Sequence, residues 1–307
     1  MIDQSVATII DPEKCIGCEL CVKICPSQTI SMQDDKAVVT GDRSLQCGHC
    51  AAVCPTGAVR VNTLDQQSLA FNGFCLENKW LPHGEFDTAR LVQLMASRRS
   101  CRNYTGQSVD RPVLEDLVKI GTTAPSGTNC QSWTFTVLPD RAAVLEFAER
   151  IGAFFIRLNR MAEKRWLRQA LRLIGKPALE FYYRQYYQSV KEGLAEWEQD
   201  GRDRLFHGAA AVVVVASKPG GSCPMEDAML ATQNILLGAH SMGLGTCLIG
   251  FAVEAIRHDP GIKQLIGIPA EETVYAVISM GYPDEKYRGL TGRKKVVIRY
   301  FEAGFNQ

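Results

Sequence analysis

Two long apolar runs stand out in the pattern of hydrophobic and polar positions along the chain. The segment GAAAVVVVAS, residues 208–217, is a run of small and β-branched side chains that predicts a buried strand. The segment AMLATQNILLGAHSMGLGTCLIGFAV, residues 228–253, is longer, but Gln233, Asn234 and His240 interrupt it. It therefore predicts a buried helix and not a membrane span.

Shorter patterns predict further elements in the first half of the chain, ahead of these two runs. Asp87 has the side chain of an N-cap and precedes a stretch of helical periodicity. An amphipathic helix is predicted for residues 111–122, followed by a polar turn, APSGTNCQ, and a strand, WTFTVL.

Residues 154–206 read as helical and rich in aromatic side chains. Spacings of three to four residues place several tyrosines in one stripe: Tyr182, Tyr183, Tyr186 and Tyr187. This stripe either packs against the core or a partner subunit or contacts a substrate, and the spacing leaves both interpretations open.

Composition places the chain among ordinary globular proteins of about two domains. Of its 307 residues 46% are hydrophobic and 22% are charged, and the net charge is +1. No overall field attracts nucleic acid or an anionic membrane, so we expect neither as a partner. The first residues, MIDQSVATIIDPEK, lack a basic region and a long apolar run. We therefore expect no signal peptide and a cytoplasmic location.

The cysteines are concentrated near the N-terminus. Seven of the twelve lie between Cys15 and Cys54, which predicts metal ligation in a reducing compartment and not a disulfide framework. A shift of 29 residues superimposes three cysteines and the proline after them on a second copy of the pattern. The same shift takes Cys15 to Ser44, so the second copy lacks one thiol.

The first copy, C-x2-C-x2-C-x3-C-P, resembles the ligand run of bacterial two-cluster ferredoxins. The β-branched segments VATII, AVVT and AVRV would supply the small sheet of that fold. In such proteins the fourth cysteine of each run binds the cluster of the other run. The resemblance thus implies one cluster on Cys15, Cys18, Cys21 and Cys54, and another on Cys25, Cys47 and Cys50 with Ser44 in the fourth place.

The second cluster has three possible forms. It is a [4Fe–4S] cluster with an unusual fourth ligand (Ser44, water or another group), a [3Fe–4S] cluster, or an empty site. An oxygen ligand is harder than sulfur, which would shift the reduction potential and make the iron more labile. Zinc is disfavoured because zinc ribbons rarely use seven cysteines in this spacing.

Residues 64–86 show no sustained period and contain Gly73, Pro82 and Gly84, so they are predicted to be a linker with some packed aromatic side chains. Cys75, within this segment, is predicted to be a buried thiol.

A basic cluster follows the helix that begins after Asp87. Three guanidinium groups and a hydroxyl lie between Arg98 and Arg102, and a turn of small and amide residues follows at 124–131. Such groups suit a phosphate or the pyrimidine edge of a flavin, and small residues let backbone approach a flat ligand. The alternative is a solvated basic helix end before an ordinary loop.

The segments SRRSCRNY and APSGTNCQSW resemble the signature of the nitroreductase family of FMN flavoproteins. Residues 228–253 resemble its central helix with the following glycine turn and strand, and the C-terminal segment resembles its last strand and basic tail. The resemblance covers roughly residues 90–300. It implies an α+β fold, a nitroreductase-like mixed sheet flanked by helices in a domain-crossed homodimer, preceded by the small ferredoxin-like domain.

The resemblance also implies the residues that bind FMN. The phosphate and the pyrimidine edge would be held by Arg98, Ser100 and Arg102, with Arg99 alongside. The isoalloxazine would be lined from the partner subunit by Pro125, Ser126, Gly127 and Asn129, with Gln131 behind them. Ile249 and Gly250 would pack near the flavin N5, and Arg293 would reach the phosphate from the tail. Some relatives carry a second basic residue where this chain has Thr291.

The predicted organisation is a two-cluster ferredoxin domain at 1–63, a linker at 64–86 and an FMN domain at 87–307. The predicted function is an oxidoreductase that passes electrons between the clusters and FMN to reduce a nitroaromatic, a quinone or an activated alkene, with a ferredoxin or NAD(P)H as donor. The alternative is an electron-transfer protein between a redox partner and an acceptor. No serine elbow, HExxH or P-loop is present, and no catalytic residue is identified.

Overall fold

The structure, a computed structural model, describes residues 3–301. The N-terminal part contains two small antiparallel sheets. Strand β1 (Thr8–Ile10) pairs with β4 (Val59–Val61), and β2 (Ile30–Gln33) pairs with β3 (Lys36–Val39). Two short helices, α1 (Leu20–Ile24) and α2 (His49–Ala52), carry cysteines between the strands. The three β-branched segments of the sequence therefore lie in strands as predicted.

The core of this N-terminal part is small and contains thiols. Cys15, Cys21 and Cys50 are buried together with apolar side chains such as Ile30 and Val59. A domain of this size buries too little apolar surface to be stable on its own, so bound metal clusters would add the missing stabilisation.

The connecting segment lies against the second domain. Phe71 and Phe74 stack with their ring centroids 4.5 Å apart, but Phe74 is 40% exposed and Trp80 is 72% exposed, so the prediction of packed aromatic side chains in this segment is wrong for Trp80. The prediction of a buried Cys75 is wrong, because this thiol is exposed on the outer side of the segment. The carboxylate of Asp116 anchors the segment by accepting hydrogen bonds from the backbone N–H groups of Asn72, at 2.8 Å, and Gly73, at 2.7 Å.

The second domain is built on one four-stranded sheet of order β5-β6-β8-β7. Its strands are β5 (Trp133–Leu138), β6 (Ala211–Ser217), β7 (Gly245–Leu248) and β8 (Thr273–Gly281), and neighbouring strands pair antiparallel. A parallel bridge between Ser100 and Thr246 extends the β7 edge.

Helices cover both faces of this sheet. They are α3 (Thr88–Ser97), α4 (Arg111–Thr122), α5 (Arg141–Ala162), α6 (Arg165–Leu173), α7 (Ala178–Gln185), α8 (Tyr187–Asp200), α9 (Pro224–Ser241), α10 (Gly250–His258) and α11 (Pro260–Leu265). The predicted N-cap of α3 is observed, because the Asp87 side chain accepts hydrogen bonds from the N–H groups of Ala89 and Arg90.

The valine run of β6 is buried on both faces. Val212 and Val214 pack into a core with α5 and α10, whereas Val213 and Val215 pack into a second core with α4 and α9. Successive side chains of a strand point to opposite faces, so a central strand covered on both sides needs an unbroken apolar sequence.

The aromatic stripe of the helical insertion packs within the chain. Tyr182 stacks on Phe155, and Tyr186 meets the edge of Phe251. The Arg168 guanidinium lies over the ring of Tyr183, 3.7 Å from its centroid. These contacts favour the packing interpretation of the tyrosines. None of the described helices combines the length and apolar character that crossing a membrane requires.

Candidate functional site

Four cysteines of the first predicted ligand set line one cavity. Cys15, Cys18, Cys21 and Cys54 surround it, so the last cysteine of the second run reaches the cavity of the first. The Ala37 N–H donates to Cys15 Sγ at 3.4 Å, and the Ala58 N–H donates to Cys54 Sγ at 3.2 Å. The donor to Cys54 favours the thiolate form that metal ligation requires.

The second predicted set lines a separate cavity. Cys25, Cys47 and Cys50 surround it together with Ser44. Ser44 is buried, and its Oγ accepts a hydrogen bond from the Gln46 N–H at 3.0 Å. The structure therefore brings both predicted sets together. Within residues 3–301, no three His, Cys, Asp or Glu side chains lie close enough together to bind one metal ion. The cysteines are instead spread around the walls of the two cavities.

The thiols differ in acidity according to their surroundings. Burial raises the pKa of Cys21 and of Cys50. Burial acts in the same direction on Cys25 and Cys54, but hydrogen-bond donors outweigh it there, and the pKa of each lies below its ordinary value. Both of these residues are the last cysteine of a run, and a proline follows each of them.

The predicted arginine segment lies beside strand β7. The bridge between Ser100 and Thr246 places it there, and the Cys101 N–H donates to the Thr246 carbonyl at 2.9 Å. Gly245 permits this approach, because a Cβ at that position would lie 2.7 Å from the Cys101 Sγ. Four predicted residues are thus placed next to one strand end: Arg98, Arg99, Ser100 and Arg102.

Other predicted residues share this location. Ile249, which is buried, and Gly250 follow β7 directly and begin α10. The C-terminal tail returns to the arginine segment, where Arg99 donates a hydrogen bond to the Thr291 hydroxyl. Arg293 lies two residues further on, is exposed, and donates to the Thr291 carbonyl at 3.5 Å. The arginine segment, the β7 end and the tail therefore form one group, termed the arginine site.

The remaining predicted residues form a second group, the loop site, at residues 125–131. The Gly127 N–H donates to the buried carboxylate of Asp227 at 2.9 Å, which ties the loop to the first turn of α9. The backbone of Thr128, Asn129 and Gln131 is left-handed, with φ of 52°, 55° and 44°. Such values are uncommon outside glycine and asparagine, and clusters of them occur at functional sites.

The structure does not bring the two sites together within one chain. The loop site contacts the N-terminal turn of α9, whereas the arginine site lies beyond its C-terminal end. At a rise of 1.5 Å per residue, the helix separates them by about 20 Å. The two sites are therefore separate within one chain, and the role of the loop site at a flavin bound by a partner subunit stays a prediction.

The predicted contact between Asn129 and a flavin is not supported by its hydrogen bonds. The side-chain Nδ2 donates to the carbonyls of Leu45 and Gln46 at 3.2 and 3.1 Å, and Oδ1 accepts from Gln131 Nε2 at 3.1 Å. The amide is directed at the cysteine-containing domain because the loop site packs against the segment between Ser44 and Cys47.

Several site residues were missed by reasoning from sequence. Glu285 accepts hydrogen bonds from the Arg102 N–H at 3.2 Å and from Asn103 Nδ2 at 2.8 Å. Burial acts to raise the pKa of Glu285, but hydrogen bonds led by the Tyr287 hydroxyl hold it below the ordinary value. No motif marks Glu285 or Asp227, and only the folded chain shows that each fixes a site segment.

A large cavity lies between α5 and α8, with a volume of about 1030 Å³. Phe155, Trp197 and Phe251 contribute aromatic walls. None of the predicted flavin residues lines it, but Phe251 directly follows Gly250. His207, also in the wall, has its pKa lowered by burial and, to a smaller extent, by the charge of Arg102. The cavity therefore adjoins the arginine site at the start of α10, where Phe251 follows Gly250.

Comparisons with known proteins divide the chain in the same way. The model described as "Nitroreductase family" matches residues 95–282, and the model described as "4Fe-4S dicluster domain" matches residues 14–58. A 4-nitrobenzoate reductase of Nocardioides sp. (strain LMS-CY) is 28% identical over 215 residues, which are 63% of this chain and 81% of the relative.

Two further relatives extend the comparison. An iodotyrosine deiodinase of Thermotoga neapolitana is 24% identical over 220 residues, which are 68% of this chain and 97% of the relative. The crystal structure of a nitroreductase with bound FMN from Bacteroides fragilis has a TM-score of 0.50 and 19% identity, covering 68% of this chain and 98% of that chain. This last likeness concerns the fold alone.

Proposed function

Because the chain belongs to the nitroreductase family, whose model matches more than half of its residues, we propose that it is an FMN-dependent oxidoreductase with iron–sulfur clusters in its N-terminal domain. The family matches confirm the resemblance, the nitroreductase-like fold and the N-terminal ferredoxin-type domain inferred from the sequence, and the domain-crossed dimer stays a prediction. The proposal adds that electrons pass between clusters and FMN and reduce a small acceptor: a nitroaromatic, a quinone or an activated alkene.

The residues of the arginine site fit an FMN phosphate. Arg98, Arg99 and Arg102 offer planar donors within five positions, the geometry that suits bidentate contact with phosphate oxygens. Arg293 would approach from the tail. Bound there, FMN would accept electrons singly and deliver them in pairs. Pro125, Ser126 and Gly127 in the loop site of a second protomer would line the ring, whereas the amide of Asn129 is directed at the cysteine-containing domain, so we propose a homodimer with two shared sites.

The two thiol-lined cavities fit iron–sulfur clusters, which exchange single electrons. Cys15, Cys18, Cys21 and Cys54 would hold a [4Fe–4S] cluster. Cys25, Cys47 and Cys50 would hold the second cluster, with Ser44 as its fourth ligand. The support for this role is that Ser44 is buried in the wall of the same cavity, where its Oγ accepts an N–H as the cysteine sulfurs do.

The observation that favours an enzyme over an electron-transfer protein is the cavity of about 1030 Å³. Small-molecule sites are concave, mostly apolar and lined by a few polar groups. Asn159 is such a group: its side chain is 7% exposed in the cavity wall, and its Oδ1 accepts from the Tyr182 hydroxyl at 2.7 Å. An electron-transfer protein needs no cavity of this size.

The cofactors are tested by an anaerobic assay of iron, sulfide and FMN per chain. We expect about eight irons and one FMN, the content of two cubanes and one flavin. About seven irons would show a three-iron second cluster. Zinc in place of iron, or no flavin, would overturn the proposal.

The cavity is tested by filling it. Gly152 lines the cavity on α5, and a Cβ there would meet its nearest neighbour, Leu194, at an ordinary 3.7 Å. We expect Gly152→Leu to lower kcat/KM for nitroaromatic or quinone reduction about tenfold or more by excluding the acceptor. FMN and iron content should stay unchanged. An unchanged kcat/KM would favour the electron-transfer alternative.

A further inference from the structure

The side chain of Asn129 joins the two domains. Its Nδ2 donates to two successive carbonyls, those of Leu45 and Gln46, at 3.2 and 3.1 Å. Oδ1 accepts from Gln131 Nε2 at 3.1 Å, which holds the amide in that orientation. Both donor hydrogens of the amide therefore cross from the loop site to the cysteine-containing domain.

The two carbonyls belong to the segment that lines the second cysteine cavity. Leu45 and Gln46 connect Ser44 to Cys47, and both of these line the cavity. The segment has little freedom, because the Gln46 N–H donates to Ser44 Oγ and Gln46 Nε2 donates to the Ser5 carbonyl at 2.9 Å. A group that holds these peptide units also fixes the position of that cavity.

The loop site is equally restrained on its own domain. Asp227, buried in the first turn of α9, accepts from the Gly127 N–H and from Cys130 Sγ at 3.4 Å. Asn129 itself has a φ of 55°, a conformation that asparagine adopts more readily than most residues. The amide thus connects two rigid segments. A small shift between them would increase the distance between the cluster expected in the second cysteine cavity and the flavin that the loop site is expected to line.

We propose that Asn129 is a positioning residue that holds the cavity lined by Ser44, the Ser44-side cavity, at a fixed distance from the flavin. Electrons then enter the protein at the cavity lined by Cys15, the Cys15-side cavity, and reach FMN from the Ser44-side cavity. The inference rests on the proposed function. The order of transfer follows from the contacts, because Asn129 binds the segment that lines the Ser44-side cavity, whereas no hydrogen bond among the described residues joins the loop site to the lining of the Cys15-side cavity.

The electron balance is simple. With clusters and FMN bound, each transfer would move one electron from the Ser44-side site to FMN, one electron would follow from the Cys15-side site to the Ser44-side site, and two such transfers with two protons from water would reduce one FMN. A one-electron reductant resupplies the Cys15-side site. In the proposed dimer the loop site would line a flavin held by the arginine site of the second protomer, so each N-terminal domain would supply electrons to the FMN bound by its partner.

The test uses the dimeric holoprotein and two substitutions. Asn129→Gly removes the amide and keeps the left-handed backbone unstrained, whereas Asn129→Asp keeps the shape but presents a carboxylate to two carbonyls. Asn234→Asp is the matched control, because Asn234 lies on α9 and donates to Thr123 Oγ1 within the same domain. Hydrogen exchange at residues 44–47, iron and FMN content, and the rate of FMN reduction by dithionite are measured.

We expect hydrogen exchange at residues 44–47 to rise about tenfold in both Asn129 variants, the effect of losing two hydrogen bonds on the docking equilibrium. FMN reduction should slow by a similar factor at unchanged iron and FMN content, and the control should match the wild type. Unchanged exchange, or raised exchange with an unchanged rate, overturns the proposal. A wild-type protein without iron or FMN would refute the proposed function instead. In that case hydrogen exchange at residues 44–47 would still show whether Asn129 holds this segment.

Discussion

At the scale of single residues, three of the cavity-lining cysteines and Ser44 each accept a hydrogen bond from a backbone N–H group. Backbone N–H groups donate to Cys15, Cys25 and Cys54 at 3.2 to 3.4 Å. Ser44 receives the same kind of bond from Gln46, at 3.0 Å. The backbone therefore presents the hydroxyl to the cavity as it presents the thiols, although the repeat has lost the sulfur at this position.

The hydrogen bond that Ser44 accepts from the backbone leads to a prediction about its role as a ligand. We expect Ser44→Ala to lose about one iron per chain and Ser44→Cys to keep the wild-type content, because thiolate and serine oxygen can both complete a cubane. Iron and sulfide assays measure both. Ser31→Ala, a change outside both cavities in the same domain, serves as control. Full iron in Ser44→Ala would show that the hydroxyl is not a ligand.

Asp116 gives a second prediction, which depends on pH. Burial acts to raise its pKa, but the N–H groups of Asn72 and Gly73 outweigh burial, and the pKa lies below its ordinary value. The carboxylate therefore stabilises the fold above the unfolded pKa of about 3.9, and this contribution is lost as the pH falls through the lower folded value.

We expect Asp116→Asn to lower the free energy of unfolding by about 1–3 kcal/mol at neutral pH, because backbone donors lose a charged acceptor. Urea unfolding at several pH values measures this, and the difference from wild type should shrink on acidification below the folded pKa. Asp110→Asn is the control, since Asp110 caps the same helix without a side-chain hydrogen bond. A difference independent of pH would contradict the linkage.

At the scale of elements, α4 and α9 cross through reciprocal contacts. A Cβ on Gly121 would lie 2.9 Å from Ile235 Cγ1, and a Cβ on Gly238 would lie 2.9 Å from Ile120 Cγ2. Each helix thus offers a glycine to the isoleucine of the other. The close crossing places α9 so that its first turn holds the loop site through Asp227.

We expect Gly238→Ala to destabilise the fold by about 1–3 kcal/mol through overpacking, although alanine is the better helix former. Gly193→Ala on α8 is the control, because a Cβ there meets its nearest atom at 3.7 Å. It should be neutral or stabilise by up to about 1 kcal/mol. Thermal unfolding compares the two variants. Equal stabilisation by both would contradict the close crossing.

At the scale of the whole molecule, the separation of the arginine site from the loop site by about 20 Å determines the assembly. Each chain carries two half-sites at opposite ends of α9. In the proposed two-fold dimer, the arginine site of one protomer would meet the loop site of the other, and it would do so twice because such an interface is isologous.

Mixed dimers test this arrangement. Arg102→Ala removes a group of the arginine site, and Gly127→Ala disturbs the loop site because its Cβ would lie 2.4 Å from Ser222 Oγ. We expect each homodimer to bind FMN weakly. Random mixing makes half of the dimers hybrids with one intact site, so about a quarter of the sites should recover. FMN fluorescence titration measures the recovery. Without any recovery, both half-sites would belong to one chain.

Many features of this protein could be predicted from its sequence alone. The repeat of the cysteines, the loss of one thiol at Ser44 and the valine run of β6 depend on short-range spacing, and local spacing decides ligand loops, strands and buried faces. Family membership, confirmed by the comparison over residues 95–282, depends on motifs of the same short range.

Only the tertiary structure determined the features that depend on contacts between segments far apart in the sequence. The amide of Asn129 binds carbonyls 83 and 84 positions earlier, and Glu285 binds the Arg102 N–H across 183 positions. The exposure of Cys75 and the cavity at Trp197 and Phe251 also arise from packing between elements. A side chain acts through the groups it meets, and only the folded chain determines which distant groups those are.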